Sequence, residues 1–400
     1  MSYSIQKIIF AGSQGPRILT KIGDHHYSAH FQKIGYQVCW LTHPISPLHY
    51  LSGSYTKNAR EIDDKYQLWK NNGEYHNDIF YYTPLTLFPF SDYLFLNSDW
   101  VLKNNLKLTF PNLERFLRKN DFNQVDVLWI SNPLLIQLAD IVKHKTLIYR
   151  ITDDVPAFGG VPGKVDQVIA DLIKKADAVF ATAKTLLEKY AWAGEKLHYL
   201  PNGVDFNHFY NSTDTLPEEF HTIPSPRAIY VGMIADWFDV DIINDAAKQY
   251  PHVSFVLIGE AAIDLSAISS LPNVYVLGGR PYSTIPAYLK NSDVGLIPFK
   301  RNRLVESVNP IKLYEYMACG LPVLSSRWET IEGLGSPAYL YDSFEEFLEM
   351  MDASLSEEID RQKLIDFAQK NSWEKQFNKV IQVLDAKQLS LPAPEIGAGG

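Results

Sequence analysis

Short apolar runs alternate with helical stretches along almost the whole chain, and they do so in two successive series. In the first series residues 5–11, 37–41, 78–83, 127–130, 146–151, 178–181 and 197–200 read as strands. In the second the runs lie at 228–232, 253–259, 274–277, 294–298 and 322–325. Helical patterns fill the gaps, for example at 24–34, 164–175 and 184–190, and a last long helix is predicted at about 373–387. Strands separated by helices pair in parallel, and parallel sheets need helical cover. The chain is therefore expected to be α/β, with two Rossmann-like, doubly wound domains. A polar, proline-containing stretch from Asn211 to Pro226 marks the boundary between the series. The expected division is a first domain at 1–205, a linker at 206–226 and a second domain at 227–372. The tail 389–400 has the composition of a disordered end, and residues 44–77 show no clear pattern.

A length of 400 residues suits two domains of ordinary size. The net charge of −9 argues against non-specific nucleic-acid binding. That charge is unevenly spread: residues 1–200 carry a balance of +3 and residues 201–400 a balance of −12. A mildly basic half joined to an acidic half suits a protein with one domain near an anionic surface, although ordinary variation between domains gives the same pattern. Cys39 and Cys319 form neither a metal motif nor a disulfide framework, which fits a reducing compartment. No secretory signal is evident and no apolar run is long enough to span a bilayer, so a cytoplasmic protein is expected. The aromatic stretch at 93–102, followed by Lys103 and Lys107, suits either core packing or contact with the inner face of a membrane.

Residues 309–323 carry the most chemistry. Asn309 suits a helix cap, Pro310 the first helical position and Gly320 the left-handed residue that ends a helix. Between them the pattern is apolar or aromatic nearly all round, so the helix should be buried. Lys312 and Glu315 are the exceptions, and at i and i+3 they share a face. Buried charges need partners. A helix N-terminus with a lysine suits a phosphate, and a carboxylate one turn on can accept hydrogen bonds from ribose hydroxyls. A Lys312–Glu315 pair that satisfies itself is the plainer alternative.

The run Pro-x-Lys-x-x-Glu-Tyr-Met-Ala-x-Gly-x-Pro-Val, beginning at Pro310, resembles the donor-binding helix of GT-B glycosyltransferases. The segments 176–180, 201–205 and 291–299 look like further landmarks of that family. The resemblance implies two domains facing one cleft, with the last helix crossing back onto the first domain. It implies that Lys312 contacts the diphosphate of a sugar nucleotide and Glu315 its ribose. Asn309, Pro310 and Ile311 would surround that site, and Gly232 with Met233 would form a small turn near the nucleotide. Tyr282 would lie by the base. Arg280 would stack on uracil, pair with phosphate or simply be exposed. The implied partners are a nucleotide-sugar donor, with UDP expected as its nucleotide, and a lipid-linked or glycan acceptor. No separate cofactor and no metal are expected.

The strand end Tyr149-Arg150-Ile151-Thr152-Asp153-Asp154 resembles the base-bearing segment of xanthan-type inverting glucuronosyltransferases, which puts Asp153 at the base position and Asp154 second. That likeness, shared with teichuronic-acid type enzymes, implies a hexuronic acid donor. His25 and His26 are further base candidates beside the first helix. Retaining relatives carry an Arg and a Lys after the first strand of the donor domain, yet residues 230–239 contain no basic residue. Those relatives also carry a glutamate eight positions before the ribose-binding one, where this chain has Ser307, with Glu306 out of register. Both departures favour inversion. A non-hydrolysing sugar-nucleotide epimerase and a degenerate sugar-nucleotide-binding protein are the competing readings. A dehydrogenase is disfavoured, because no complete Gly-x-Gly-x-x-Gly follows a first strand with an acidic residue beyond it.

Overall fold

The computed structural model describes residues 6–17, 21–51, 53–89, 94–157, 164–356 and 358–386. The tail 389–400 lies outside the described residues. The first sheet is built from β1 (Lys7–Gly12), β2 (Gln37–Thr42), β3 (Glu74–His76), β4 (Ile79–Tyr82), β5 (Gln124–Ile130), β6 (Lys143–Ile151), β7 (Ala178–Ala181) and β8 (Leu197–Tyr199). Its order is β8-β7-β6-β5-β1-β2-β4-β3. Every pairing is parallel except β3 with β4. The second sheet contains β9 (Arg227–Val231), β10 (Ser254–Ile258), β11 (Val274–Gly278), β12 (Val294–Ile297), β13 (Val323–Ser326) and β14 (Tyr339–Tyr341). All its pairings are parallel and its order is β11-β10-β9-β12-β13-β14, the doubly wound arrangement.

The central strands are apolar without alternation. Ile8, Ile9, Phe10 and Ala11 are all buried, as are Ile229, Tyr230, Val256 and Leu257. Burial on both faces explains why these runs were legible as strands of a parallel sheet. The final helix, Trp373–Ala386, buries Trp373, Phe377, Val380 and Leu384 on one side. Their spacing puts them on a single helical face. That face packs against Ile8, Phe10 and Trp129 of the first sheet, although the helix follows the second sheet in sequence. The two crossings between the halves are laced together. Val204 N–H donates to Asn371 O (3.1 Å) and Trp373 N–H donates to Val204 O (2.9 Å).

Several expectations need correction. Segment 206–226 is no open linker: it holds the helix Phe206–Tyr210 and a 3-10 turn, Glu218–His221. Phe209, Phe220 and Ile223 from this segment are buried in the second core. The patternless stretch 44–77 contains an 18-residue helix, Gly53–Lys70, and the edge strand β14 was not foreseen. In the aromatic stretch, Val101 is buried while Trp100 is 56% exposed. Tyr93 lies outside the described residues. Among the described residues, no helix is long and apolar enough to cross a membrane.

Candidate donor and acceptor cleft

Ligands of open parallel sheets bind beyond the carboxyl ends of the strands, where the strand order reverses. In the first sheet that point falls between β1 and β5, and in the second between β9 and β12. The residues that follow these strands, Ser13, Asn132, Gly232 and Phe299 among them, line one cavity of about 720 Å³. A smaller cavity of about 210 Å³ shares Gln14, Gly232, Met233 and Ile285 with it and runs on to Gly259, Gly279 and Lys65.

The helix Ile311–Ala318 begins at the larger cavity. Its C-terminal end follows the expected chemistry. Gly320 has φ 68°, its N–H donates to Met317 O (2.9 Å), and Leu321 N–H donates to Tyr316 O (3.0 Å). Tyr316 anchors the helix to the sheet by accepting a hydrogen bond from Val231 N–H (2.7 Å). Its ring rests where a Cβ on Gly295 would lie only 2.3 Å from Cδ2, so a larger residue at 295 would displace it. The N-terminal end departs from expectation. Pro310 is the cap residue and Asn309 does not cap. Asn309 Nδ2 instead donates to Thr182 O (3.0 Å), and its Oδ1 accepts from Tyr314 OH (2.9 Å). Proline has no N–H, and the first amides of a helix lack intrahelical partners, so this end offers donors to an anion.

Lys312 and Glu315 line the cavity together with Asn309, Pro310 and Ile311. Lys312 Nζ lies 4.7 Å from the Phe299 ring centroid and 5.1 Å from that of Tyr230. Among the described residues it makes no ion pair with Glu315, so the self-satisfied pair is not what forms. Burial lowers the Lys312 pKa to about 8, against the opposing pull of Glu315. Burial raises the Glu315 carboxyl to about 7, opposed by Lys312 and assisted by Asp205. A positive and a negative group thus stand half-buried on one wall, each within the other's field but without an ion pair between them. Gly232 makes room for the lysine. It has φ 143°, and a Cβ there would stand 3.2 Å from Lys312 Nζ. The main chain approaches closely here too, since a Cβ on Gly259 would lie 1.8 Å from Gly232 O. Met233 is 51% exposed and lines both cavities.

Two residues expected near the base behave differently. Arg280 lines the smaller cavity, but its guanidinium is engaged elsewhere: Nη2 donates to Glu219 Oε1 (2.7 Å) and Nε to Tyr288 OH (3.2 Å). It is therefore neither exposed nor a free cation for phosphate. Tyr282 lines the larger cavity and stacks on His208 at 4.6 Å, and burial raises its pKa. Its hydroxyl is buried without a hydrogen-bond partner.

On the opposite wall β6 ends at Ile151, and Thr152 and Asp153 face the larger cavity. Burial raises the Asp153 pKa, opposed by a hydrogen bond from Thr152 and the charge of Arg150. Asp154, the second candidate, is fully committed to structure. Lys189 Nζ donates to its Oδ1 (2.6 Å), Arg303 Nε donates to its Oδ2 (3.0 Å), and its own N–H donates to Ser307 Oγ (3.1 Å). Ser307 is thus a contact between the halves. Glu306 accepts from Glu329 N–H (2.9 Å), at the start of another helix. The two histidines lie in the first turn of the helix Gly23–Lys33. His25 stacks on Trp40 at 4.5 Å and burial lowers its pKa to about 4. His26 stacks on Trp373 at 5.0 Å, and burial again lowers its pKa. Neither lines the larger cavity.

Sequence reasoning missed Arg150. It is 1% exposed at the cleft floor, and its Nη1 donates to Asp24 Oδ1 (3.1 Å) and Nη2 to Asn202 Oδ1 (2.7 Å). The available signal was an arginine inside the otherwise apolar end of a buried strand, Leu147-Ile148-Tyr149-Arg150-Ile151.

Comparison with known proteins matches each half of the chain. Residues 225–356 match the family model for glycosyl transferases group 1, and residues 13–182 match that of the glucuronosyltransferase GumK N-terminal domain. A Bacillus subtilis (strain 168) protein named as the teichuronic acid biosynthesis glycosyltransferase TuaH is 28% identical over 185 residues. That match spans 44% of this chain and 46% of the relative, about half of its length. Among solved structures, sucrose-phosphate synthase from Thermosynechococcus elongatus superposes with a TM-score of 0.69 at 15% identity, covering 96% of this chain and 99% of that one. Anabaena HepE, solved with UDP and glucose, gives 0.64 at 15% identity, covering 95% and 100%.

Proposed function

We propose that the chain is a GT-B glycosyltransferase that transfers a sugar from a UDP-linked donor to a hydroxyl of a lipid-linked or glycan acceptor in cell-surface polysaccharide assembly. Transfer proceeds with inversion and without a metal. The observation that carries this reading is that Lys312 and Glu315, half-buried and without an ion pair between them, line the cavity beside a proline-capped helix N-terminus. A nucleoside diphosphate supplies both missing partners: phosphate oxygens for the ammonium and amides, ribose hydroxyls for the carboxylate. Asp153 accepts the proton of the acceptor hydroxyl as its oxygen attacks the anomeric carbon. The bond to the diphosphate breaks on the opposite face, and the departing charge is stabilised by Lys312 and the helix amides. UDP-glucuronate is the first donor to try, because the N-terminal half matches a glucuronosyltransferase domain.

The acceptor end of the reading includes peripheral contact between the first domain and a membrane. It is supported by the exposed apolar side chains Leu87, Trp100, Leu108 and Phe110. The test of the donor site is thermal stabilisation with UDP, GDP, UDP-glucose and UDP-glucuronate. A shift with the uridine compounds, lost in Lys312→Ala, is expected. Equal shifts with GDP would refute the choice of nucleotide, and the absence of any shift would refute the donor site.

A further inference from the structure

The base-bearing strand end and the donor helix belong to different sheets, yet a closed circuit of hydrogen bonds joins them. One arm leaves Arg150, whose Nη2 donates to Asn202 Oδ1 (2.7 Å), and continues as Asn202 Nδ2 donates to Asn309 O (2.7 Å). The other arm returns from Asn309, whose Nδ2 donates to Thr182 O (3.0 Å), while Thr182 Oγ1 donates to Thr152 O (2.7 Å). Both arms therefore start within three residues of Asp153 and end on the residue that precedes the helix cap Pro310. Asn309 is 3% exposed and Arg150 1%, so both ends of the first arm are shielded from competing water, while Asn202 between them is half-buried and lines the larger cavity. Asn202 also stands at the crossing between the halves, two residues before the Val204–Ser372 bridge. The Asn202–Asn309 contact thus joins the halves beside their crossing, as Asn309–Thr182 and Asp154–Ser307 do elsewhere.

We propose that Asn202 and Asn309 are positioning residues that hold the donor helix in register with the strand end carrying Asp153, so that the base and the anomeric carbon meet in one geometry. Neither touches the reacting atoms. Asn202 Nδ2 and Asn309 Nδ2 are spent between the halves and Asn309 Oδ1 on Tyr314 OH, which is why Asn309 neither caps the helix nor remains free for the donor. This inference rests on the function proposed above for Asp153 and Lys312. Misplacing reacting groups by about 1 Å costs on the order of 10²-fold in rate. Loss of the circuit should therefore lower turnover and leave ground-state donor affinity alone.

The experiment uses the full chain with Asn202→Leu, which removes both contacts of that side chain, and Asn202→Asp, which keeps the acceptor for Arg150 and loses only the donation to Asn309. Hydrogen–deuterium exchange without ligand is read at residues 147–153 and 309–313. Faster exchange, by about tenfold for one lost hydrogen bond, is expected in both segments for Asn202→Leu and at 309–313 alone for Asn202→Asp. The UDP dissociation constant should stay within about twofold, while UDP release from the donor found in the thermal panel falls by roughly 10²-fold. Unchanged exchange in both segments overturns the circuit. A fall in UDP affinity equal to the fall in turnover makes Asn202 part of donor binding and overturns the positioning role. A wild-type chain that binds no UDP defeats the proposed function, and the ligand-free exchange then decides the circuit by itself.

Discussion

In the function proposed above, Lys312 and Glu315 set the conditions under which the cleft would accept a nucleotide. Burial holds the Glu315 proton up to about pH 7, and Lys312 keeps its own only up to about pH 8. Binding needs the carboxylate and the ammonium together. As pH falls through about 7 Glu315 becomes neutral and loses most of its strength as an acceptor. As pH rises through about 8 Lys312 loses the charge that faces the diphosphate. UDP affinity measured by calorimetry should therefore peak between these values and weaken by up to about tenfold per pH unit on either side. Glu315→Gln should flatten the acid side, and a slope that survives this change would assign the titration to another group. Asp153→Asn should leave UDP affinity unchanged and abolish transfer, and persistent transfer would remove Asp153 as the base. Arg150 makes a different kind of prediction. Its side chain and that of Asp24 are 1% and 2% exposed. Arg150→Met leaves Asp24 buried and unpaired, at a cost of about 3–5 kcal/mol. Adding Asp24→Asn should restore part of the lost thermal stability. A double variant no more stable than Arg150→Met alone would show that the pair is not the source of the loss.

The helix Trp373–Ala386 follows the second sheet in the chain but completes the core of the first. Phe377 packs edge-on against Phe31 at 5.0 Å and stacks on His30 at 5.0 Å. Phe377→Ala should cost about 3–5 kcal/mol, as expected for a large aromatic removed from a core. Urea unfolding should show the loss in the transition of the first sheet, with exchange in β1 and Gly23–Lys33 accelerated before that in β9. Equal effects on both sheets would mean that the halves unfold as one unit. Elements of this kind differ in how far they can be read from sequence. The strand Ala178–Ala181 was legible to the residue, because a run of small and apolar residues buried on both faces has few other uses. The helix Gly53–Lys70 was not, since its polar composition hides the face it buries. Tyr339–Tyr341 is a three-residue edge strand, too short for any periodicity. At the site, Lys312 and Glu315 stood out because charge on an apolar helix is anomalous. The role of Asn309 could not be read, because its partner Thr182 lies 127 residues away and local preference favours a cap.

Two doubly wound units of opposite charge balance surround one cleft, and the outer side of the first carries apolar groups that a folded domain ordinarily hides. Leu87 is 62% exposed, Trp100 56%, Leu108 43% and Phe110 71%. They converge in space: Leu85 pairs with Phe110 and Thr86 with Thr109 in a small antiparallel ladder, and Phe88 lies edge-on to Trp100 at 6.0 Å. Lys103 and Lys107 follow Trp100 closely in sequence. Exposed aromatic groups beside lysines suit the headgroup region of an anionic bilayer, where each basic residue near the surface adds about 1 kcal/mol. A lipid-linked acceptor would then be met by the domain that carries Asp153, while the acidic second domain would be repelled from the same surface. The full chain should sediment with vesicles containing anionic lipid and not with neutral ones, and added salt should weaken the association. Trp100→Ala with Phe110→Ala should abolish sedimentation and leave the UDP thermal shift intact, because neither residue lines either cavity. Sedimentation unaffected by the double substitution would move the contact to another face. No sedimentation of the wild-type chain would leave a soluble glycan as the acceptor, and with it the exposed ladder would lose its role in the reaction.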